Sequence, residues 1–206
     1  KLNQKIKELD CVDKLFVYPA MNDSGLSVGS ALNVYHSVLK NDFKGKIIKD
    51  LYLGIDTKND DEVESLLNIK NIQFQHFDNI ELKIAQALSS NKIVAHFFGR
   101  SEYGPRALGN RSIFAPATHK NINNSLNKKL NRTEFMPFAP IILEEDATEL
   151  LSNWNKEEEN TRFMTTTFNV TPKMKDIAPA VVHIDGTARP QVIKAAENER
   201  VYNILH

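Results

Sequence analysis

The chain has 206 residues, 26 Lys and Arg against 26 Asp and Glu, and a formal net charge of zero. That balance argues against a generally basic, nucleic-acid-binding surface. With 41% hydrophobic and 25% charged residues the chain is no disordered acidic tail, and no run approaches the roughly 20 apolar residues of a membrane span. The charged start, Lys1–Asp10, lacks the apolar region of a secretory signal. One cysteine, Cys11, permits no internal disulfide, which fits a reducing, cytoplasmic setting. Leu15-Phe16-Val17-Tyr18, closed by Pro19, predicts a short strand, and Asn22–Gly25 a turn. Ser27–Leu39 is rich in small and apolar residues and predicts a packed helix, with Phe43–Lys58 a polar linker after it. Asp60–Asn68 and Ile80–Ser90 predict helices, the second with Ile80, Ile84, Ala87 and Leu88 on one face. Between them Ile72–Phe77 alternates like a strand. Ile93–Phe98 predicts a buried strand ending at Gly99, and Asn121–Leu130 a helix with Ile122, Leu126 and Leu130 inward. Phe138–Leu143, entered through Pro137, Met164–Val170 and Val181–Ile184 complete the predicted strands. Strands and helices mix throughout, so the class is α/β or α+β.

The zero net charge is not uniform. Residues 99–132 carry Arg100, Arg106, Arg111, Lys120, Lys128, Lys129 and Arg132 against the single acid Glu102, a local +6. The acids gather at predicted helix starts, Asp60-Asp61-Glu62 and Glu144-Glu145-Asp146, where they complement the helix dipole. The basic window has no such explanation, because its charges are interleaved with Gly and Pro.

Three segments hold candidate chemistry. Gly99–Ile113 (GRSEYGPRALGNRSI) follows a predicted strand, and its three glycines permit close backbone approach to a ligand. Three arginines cannot all pair with one glutamate, and forked guanidiniums suit phosphate or carboxylate. A pocket for a phosphorylated small molecule is one reading. Arginines paired with acids from elsewhere in the fold, or lying on the surface, are the other. Asn131–Pro140 holds Arg132 and Glu134, which either extend the pocket or pair together. His183–Gln191 (HIDGTARPQ) places polar groups around Gly186, just after a predicted strand. A histidine there is often structural, and Asp-Gly is an ordinary turn. Asp23, before Gly25, reads as a helix cap.

Gly99–Ile113, Arg132–Pro140 (RTEFMPFAP) and His183–Gln191, in this order, resemble the C-terminal domain of the O-carbamoyltransferases that modify nodulation factors, aminoglycosides and cephalosporins. The likeness covers about residues 50–206, and Asn22–His36 is similar to the end of that family's actin-like N-terminal domain. The resemblance implies residues 1–45 as the tail of the N-terminal domain and 46–206 as a YrdC-like domain with a mixed twisted sheet, truncated at its end. It implies that this domain takes carbamoyl phosphate and ATP, with Mg, and forms carbamoyl-adenylate, releasing pyrophosphate. The carbamoyl group then passes to a hydroxyl of a sugar or secondary-metabolite acceptor, at a site holding iron or another divalent metal. Neither nucleic acid nor membrane is an expected partner.

By this resemblance Arg106, Arg111 and His183 are the catalytic candidates. Arg100, Arg106, Arg111, Ser112, Arg132, Arg162 and Arg189 are those for carbamoyl phosphate and nucleotide, and Asp23 is the metal ligand. Met136 stands where many relatives carry Arg, and no His-x-x-x-His motif is present, so the chain looks like an excised piece. A YrdC-like module acting on another donor, of the threonylcarbamoyl-adenylate type, and a non-catalytic binding domain are the alternatives.

Overall fold

The structure is a computed structural model and describes residues 1–41, 48–56, 60–133 and 138–206. It opens with a helix that the sequence patterning does not predict, α1 (Leu2–Lys7). Next comes α2 (Ser24–Asn33), which runs on into a π-helical turn, Val34–Val38. α3 (Asp60–Ile69) and α4 (Ile80–Ser89) fall where their periodicity places them. β1 (Val94–Phe97) and β2 (Arg111–Phe114) form a hairpin, followed by α5 (Ile122–Lys129). β3 (Ile141–Leu143) leads directly into α6 (Glu144–Leu150). A 3-10 turn at Glu159–Phe163, β4 (Phe168–Asn169), α7 (Pro172–Ile177) and a second 3-10 turn at Pro179–Val181 come next. β5 (Thr187–Ala188), β6 (Gln191–Ile193) and α8 (Glu199–Leu205) close the chain.

Local chemistry explains the helix starts. The Asn79 side chain accepts the Leu82 amide proton at 2.8 Å, and Asn198 does the same for Val201 at 3.1 Å. Thr171 caps α7 with Pro172 at the first position. Three acids occupy the first turn of α3 and of α6, as the dipole favours.

Pairing is mixed in direction, and the class is α+β. β1 and β2 are antiparallel with Val94 opposite Phe114, and β4 and β5 are antiparallel with Phe168 opposite Ala188. β3 and β6 are parallel, Ile141 opposite Gln191. The described residues hold three two-stranded ladders. The main core joins Ile142 of β3, Ala147 of α6, Leu151, Trp154, Phe168, Met174 of α7 and Val192 of β6. A second cluster, Leu51, Leu108, Phe163 and Met164, underlies the glycine-rich loop.

Several expectations are corrected. Leu15–Tyr18 and Ile72–Phe77 form no ladder, and Val181–Ile184 runs from the end of a 3-10 turn into a second turn. Apolar alternation reports an extended chain, but not whether a neighbouring strand is present. At Leu15–Tyr18 the neighbour is one side chain. Asn160 Nδ2 donates to Leu15 O at 2.6 Å, and Val17 N donates to Asn160 Oδ1 at 2.9 Å. β1 is not a buried strand, because Phe97 is 71% exposed and only His96 is buried. α2 buries no residue, so it is not a packed helix here, and Leu26, Leu32, Val34, Tyr35 and Val38 face solvent. The total accessible surface, 13752 Å², exceeds the roughly 9,700 Å² of a compact monomer of this mass.

Candidate anion site

Gly99–Ile113 is a closed hairpin connection whose last residues return as β2. The carboxylate of Glu102 organises it from within. Its Oε1 accepts the backbone protons of Leu108 at 2.8 Å, Asn110 at 2.8 Å and Arg111 at 3.1 Å. Ser112 Oγ accepts from Gly109 N at 2.9 Å, and Asn110 Nδ2 donates to Arg100 O at 2.9 Å. The three glycines adopt positive φ, +54° at Gly99, +100° at Gly104 and +119° at Gly109. Protein packs against the backbone at two of them. A Cβ on Gly109 would lie 2.7 Å from Val201 Cγ2 of α8, and one on Gly104 would lie 3.5 Å from Ala20 Cα.

The loop separates the predicted arginines by role. Arg111 braces the hairpin mouth: Nη1 donates to Phe98 O at 2.7 Å, Nη2 to Gly99 O at 2.9 Å, and its guanidinium lies 3.6 Å from the Phe97 ring centroid. Ser112 belongs to the same frame. Arg100 is exposed and 3.9 Å from Asp56. Arg162 is engaged by Glu159, by Glu197 at 2.8 Å and by the carbonyls of Ile48 and Lys49. Arg132 lies 4.8 Å from the Phe138 ring centroid. Glu134 and Met136 lie outside the described residues.

Arg106 and Arg189 differ from all of these. Neither has an acid within ion-pair distance among the described residues, and each has a buried Nε without a hydrogen-bond partner, as Arg162 also has despite its ion pairs. They feel each other. The Arg189 guanidinium is pushed below its ordinary range first by burial and then by the charge of Arg106. A partly buried guanidinium that feels the charge of a second one, with no acid beside either among the described residues, marks a place where an anion lowers the energy.

His183 stands within reach of the same field. Burial holds its imidazole below the usual 6.5, the Asp185 charge opposing this and the Arg189 charge adding to it. Asp185 is held well below the usual carboxylate range by the Thr187 hydroxyl and then by Lys1. Thr187 Oγ1 donates to Asp185 Oδ1 at 2.6 Å, and His183 Nδ1 lies 3.0 Å from the same Oγ1. A hydroxyl has one proton, so Thr187 accepts from His183 Nδ1–H. In the neutral ring this tautomer, assigned from the network, leaves the Nε2 lone pair available. Sequence reasoning grouped Arg106, Arg189 and His183 as candidates and did not anticipate the hydrogen bonds that join His183, Thr187 and Asp185.

It also missed the buried polar seam behind the loop. Tyr52 Oη donates to Leu108 O at 2.8 Å and accepts from Asn198 Nδ2 at 2.9 Å. Burial raises this phenol to about 12. Asn198 also donates to Asn110 Oδ1 at 2.9 Å, and Gln191 Nε2 to Leu108 O at 3.0 Å. Leu108, Asn110 and Gln191 lie in the motifs singled out above, but Tyr52 and Asn198 do not, and the contacts cross 88 and 83 positions.

Asp23 occupies an exposed turn at the start of α2, and its carboxylate does not cap the helix. Its turn touches the loop, for Tyr103 Oη donates to Ser24 O at 2.8 Å. Among the described residues no three His, Cys, Asp or Glu side chains converge to hold a metal. Asp23 is a single carboxylate, so the described residues by themselves do not complete a metal site.

GRSEYGPRALGNRSI and HIDGTARPQ both lie inside the part of the chain that a known family matches. Residues 85–206 match the family described as Carbamoyltransferase C-terminus, and the chain belongs to it. Among proteins similar over the whole chain is an uncharacterized protein of Methanocaldococcus jannaschii, 37% identical over 212 residues and 38% covered. Nodulation protein NolO of Bradyrhizobium diazoefficiens is 35% identical over 213 residues and 38% covered. Nodulation protein U of Rhizobium tropici is 33% identical over 205 residues and 33% covered. The chain spans about a third of the length of these curated relatives.

Proposed function

We propose that this chain supplies the carbamoyl-activating site of an O-carbamoyltransferase. In this reading it binds carbamoyl phosphate and ATP and forms carbamoyl-adenylate, and the longer protein transfers the carbamoyl group to an acceptor hydroxyl. The observation that carries the reading is the pair Arg106 and Arg189, charged, partly buried and without an acid among the described residues. Carbamoyl phosphate and ATP are polyanions that repel each other, and unneutralised guanidiniums offset that repulsion. The sum balances with one water: carbamoyl phosphate, ATP and water give carbamoyl-adenylate, phosphate and pyrophosphate. His183, with Nδ1–H held by Thr187, offers Nε2 to take the proton that the water loses. Arg111, Ser112 and Glu102 act one step back, by fixing the loop that carries Arg106.

The test is ATP–pyrophosphate exchange by the full-length protein. Carbamoyl phosphate is expected to stimulate exchange. Arg106→Ala removes a charge-assisted contact worth roughly 1.5–3 kcal/mol and is expected to weaken carbamoyl phosphate about 10- to 150-fold. Stimulation by bicarbonate plus threonine would assign a different donor. Saturable binding without exchange would leave a non-catalytic domain.

A further inference from the structure

Gln191 opens β6 and is 2% exposed. Its backbone N donates to Pro140 O at 2.8 Å, which fixes the main chain. Its side-chain Nε2 donates to Leu108 O at 3.0 Å, while Oε1 is buried and has no partner. Rotating the amide would set its oxygen against the Leu108 carbonyl oxygen, so this orientation is the one the network allows. A buried amide oxygen without a donor costs about 1–3 kcal/mol, and such atoms call for a particular explanation.

Its position supplies one. Gln191 follows Arg189 by two residues, and the carbonyl it holds, that of Leu108, follows Arg106 by two. The two segments that form the anion site therefore leave two donors unmet, Arg106 Nε and Arg189 Nε, and one acceptor, Gln191 Oε1. A fully ionised phosphoryl group satisfies donors but offers no proton to the acceptor. A ligand that satisfies all three carries anionic oxygens and an N–H group together.

We propose that Gln191 is a specificity-determining residue whose Oε1 accepts an N–H of the carbamoyl group, selecting carbamoyl phosphate over acyl phosphates of the same shape. This rests on the anion-site reading above and adds to it the recognition of the amide end. Acetyl phosphate is the natural comparison, because a methyl replaces the amino group and nothing else changes. A polar site left unpaired by a ligand that lacks the expected donor discriminates more strongly than an apolar one.

The experiment is calorimetric titration of the full-length protein with carbamoyl phosphate, acetyl phosphate and inorganic phosphate. The native protein is expected to prefer carbamoyl over acetyl phosphate by about tenfold or more. Gln191→Met keeps the side-chain length and leaves Leu108 O bonded to Tyr52, so the seam retains a donor. This variant is expected to lose the preference through weaker carbamoyl phosphate binding, with acetyl phosphate and inorganic phosphate unchanged. Equal native affinity for carbamoyl and acetyl phosphate, with both lost in Arg106→Ala, overturns the role of Gln191 and leaves the anion site standing. That comparison needs no Gln191 variant to fold. Failure of the native protein to bind any of the three overturns the anion site, and this proposal with it.

Discussion

Glu102 is the one carboxylate in the basic window, yet it neutralises none of the arginines there. Its Oε1 gathers three backbone protons, from Leu108, Asn110 and Arg111, and so sets the path of the loop. Glu102→Ala strips those amides of their acceptor, and each group left unsatisfied costs about 1–3 kcal/mol. Glu102→Gln keeps an oxygen that can accept from them. In urea denaturation the alanine variant is expected to lose most stability and the glutamine variant to retain most of it. Phosphate affinity should follow the same order, because Arg106 sits on that loop. Equal effects of the two substitutions would show that the carboxyl oxygen does not hold the turn. The composition of this loop was legible in the sequence, but its division of labour was not. Three arginines in fifteen residues look alike until their partners are known. Arg111 meets the carbonyls of Phe98 and Gly99 only because β2 folds back on β1, a contact no local spacing announces.

At the scale of elements, the hairpin and α8 meet around His96. Its Nδ1 lies 2.6 Å from Gly109 O, and its ring lies between those of Phe98 and Phe114, at centroid distances of 6.2 and 5.3 Å. Burial holds this imidazole below 6.5, with the Gly109 carbonyl opposing and the Arg200 charge adding. An unfolded histidine takes up its proton near 6.5, whereas the folded one resists until lower pH. The stability that neutral His96 contributes is therefore complete above about 6.5 and lost as pH falls through the folded value. His183 shifts in the same direction. The denaturation midpoint is expected to fall between pH 7 and 5, and the fall to be shallower in His96→Gln. An unchanged slope would place the acid sensitivity elsewhere. Four helices were legible, since α3, α4, α5 and α6 lie where periodicity and acidic first turns put them, whereas α1, α7 and α8 were not. Strands were less so. Val94–Phe97 and Ile141–Leu143 pair as expected, whereas Leu15–Tyr18 is extended against a single asparagine side chain. A strand depends on a partner that its own sequence does not encode.

For the whole molecule, the net charge of zero hides the arrangement that matters. Acids complement helix starts and pair with Arg100 and Arg162, while Arg106 and Arg189 are left without one among the described residues. Among the described residues no helix is long and apolar enough to cross a membrane. Family membership was legible from three motifs in order, and residues 85–206 match that family. Which arginines remain open to a ligand required the fold. If the pair exists to hold an anion, the ligand-free protein carries its repulsion as a cost. The direct measurement is the melting temperature and carbamoyl phosphate affinity of Arg106→Met beside the native protein. The account predicts opposite signs: a higher melting temperature without ligand and an affinity lower by about tenfold or more. A lower melting temperature with unchanged affinity would contradict it, and would make Arg106 a structural residue.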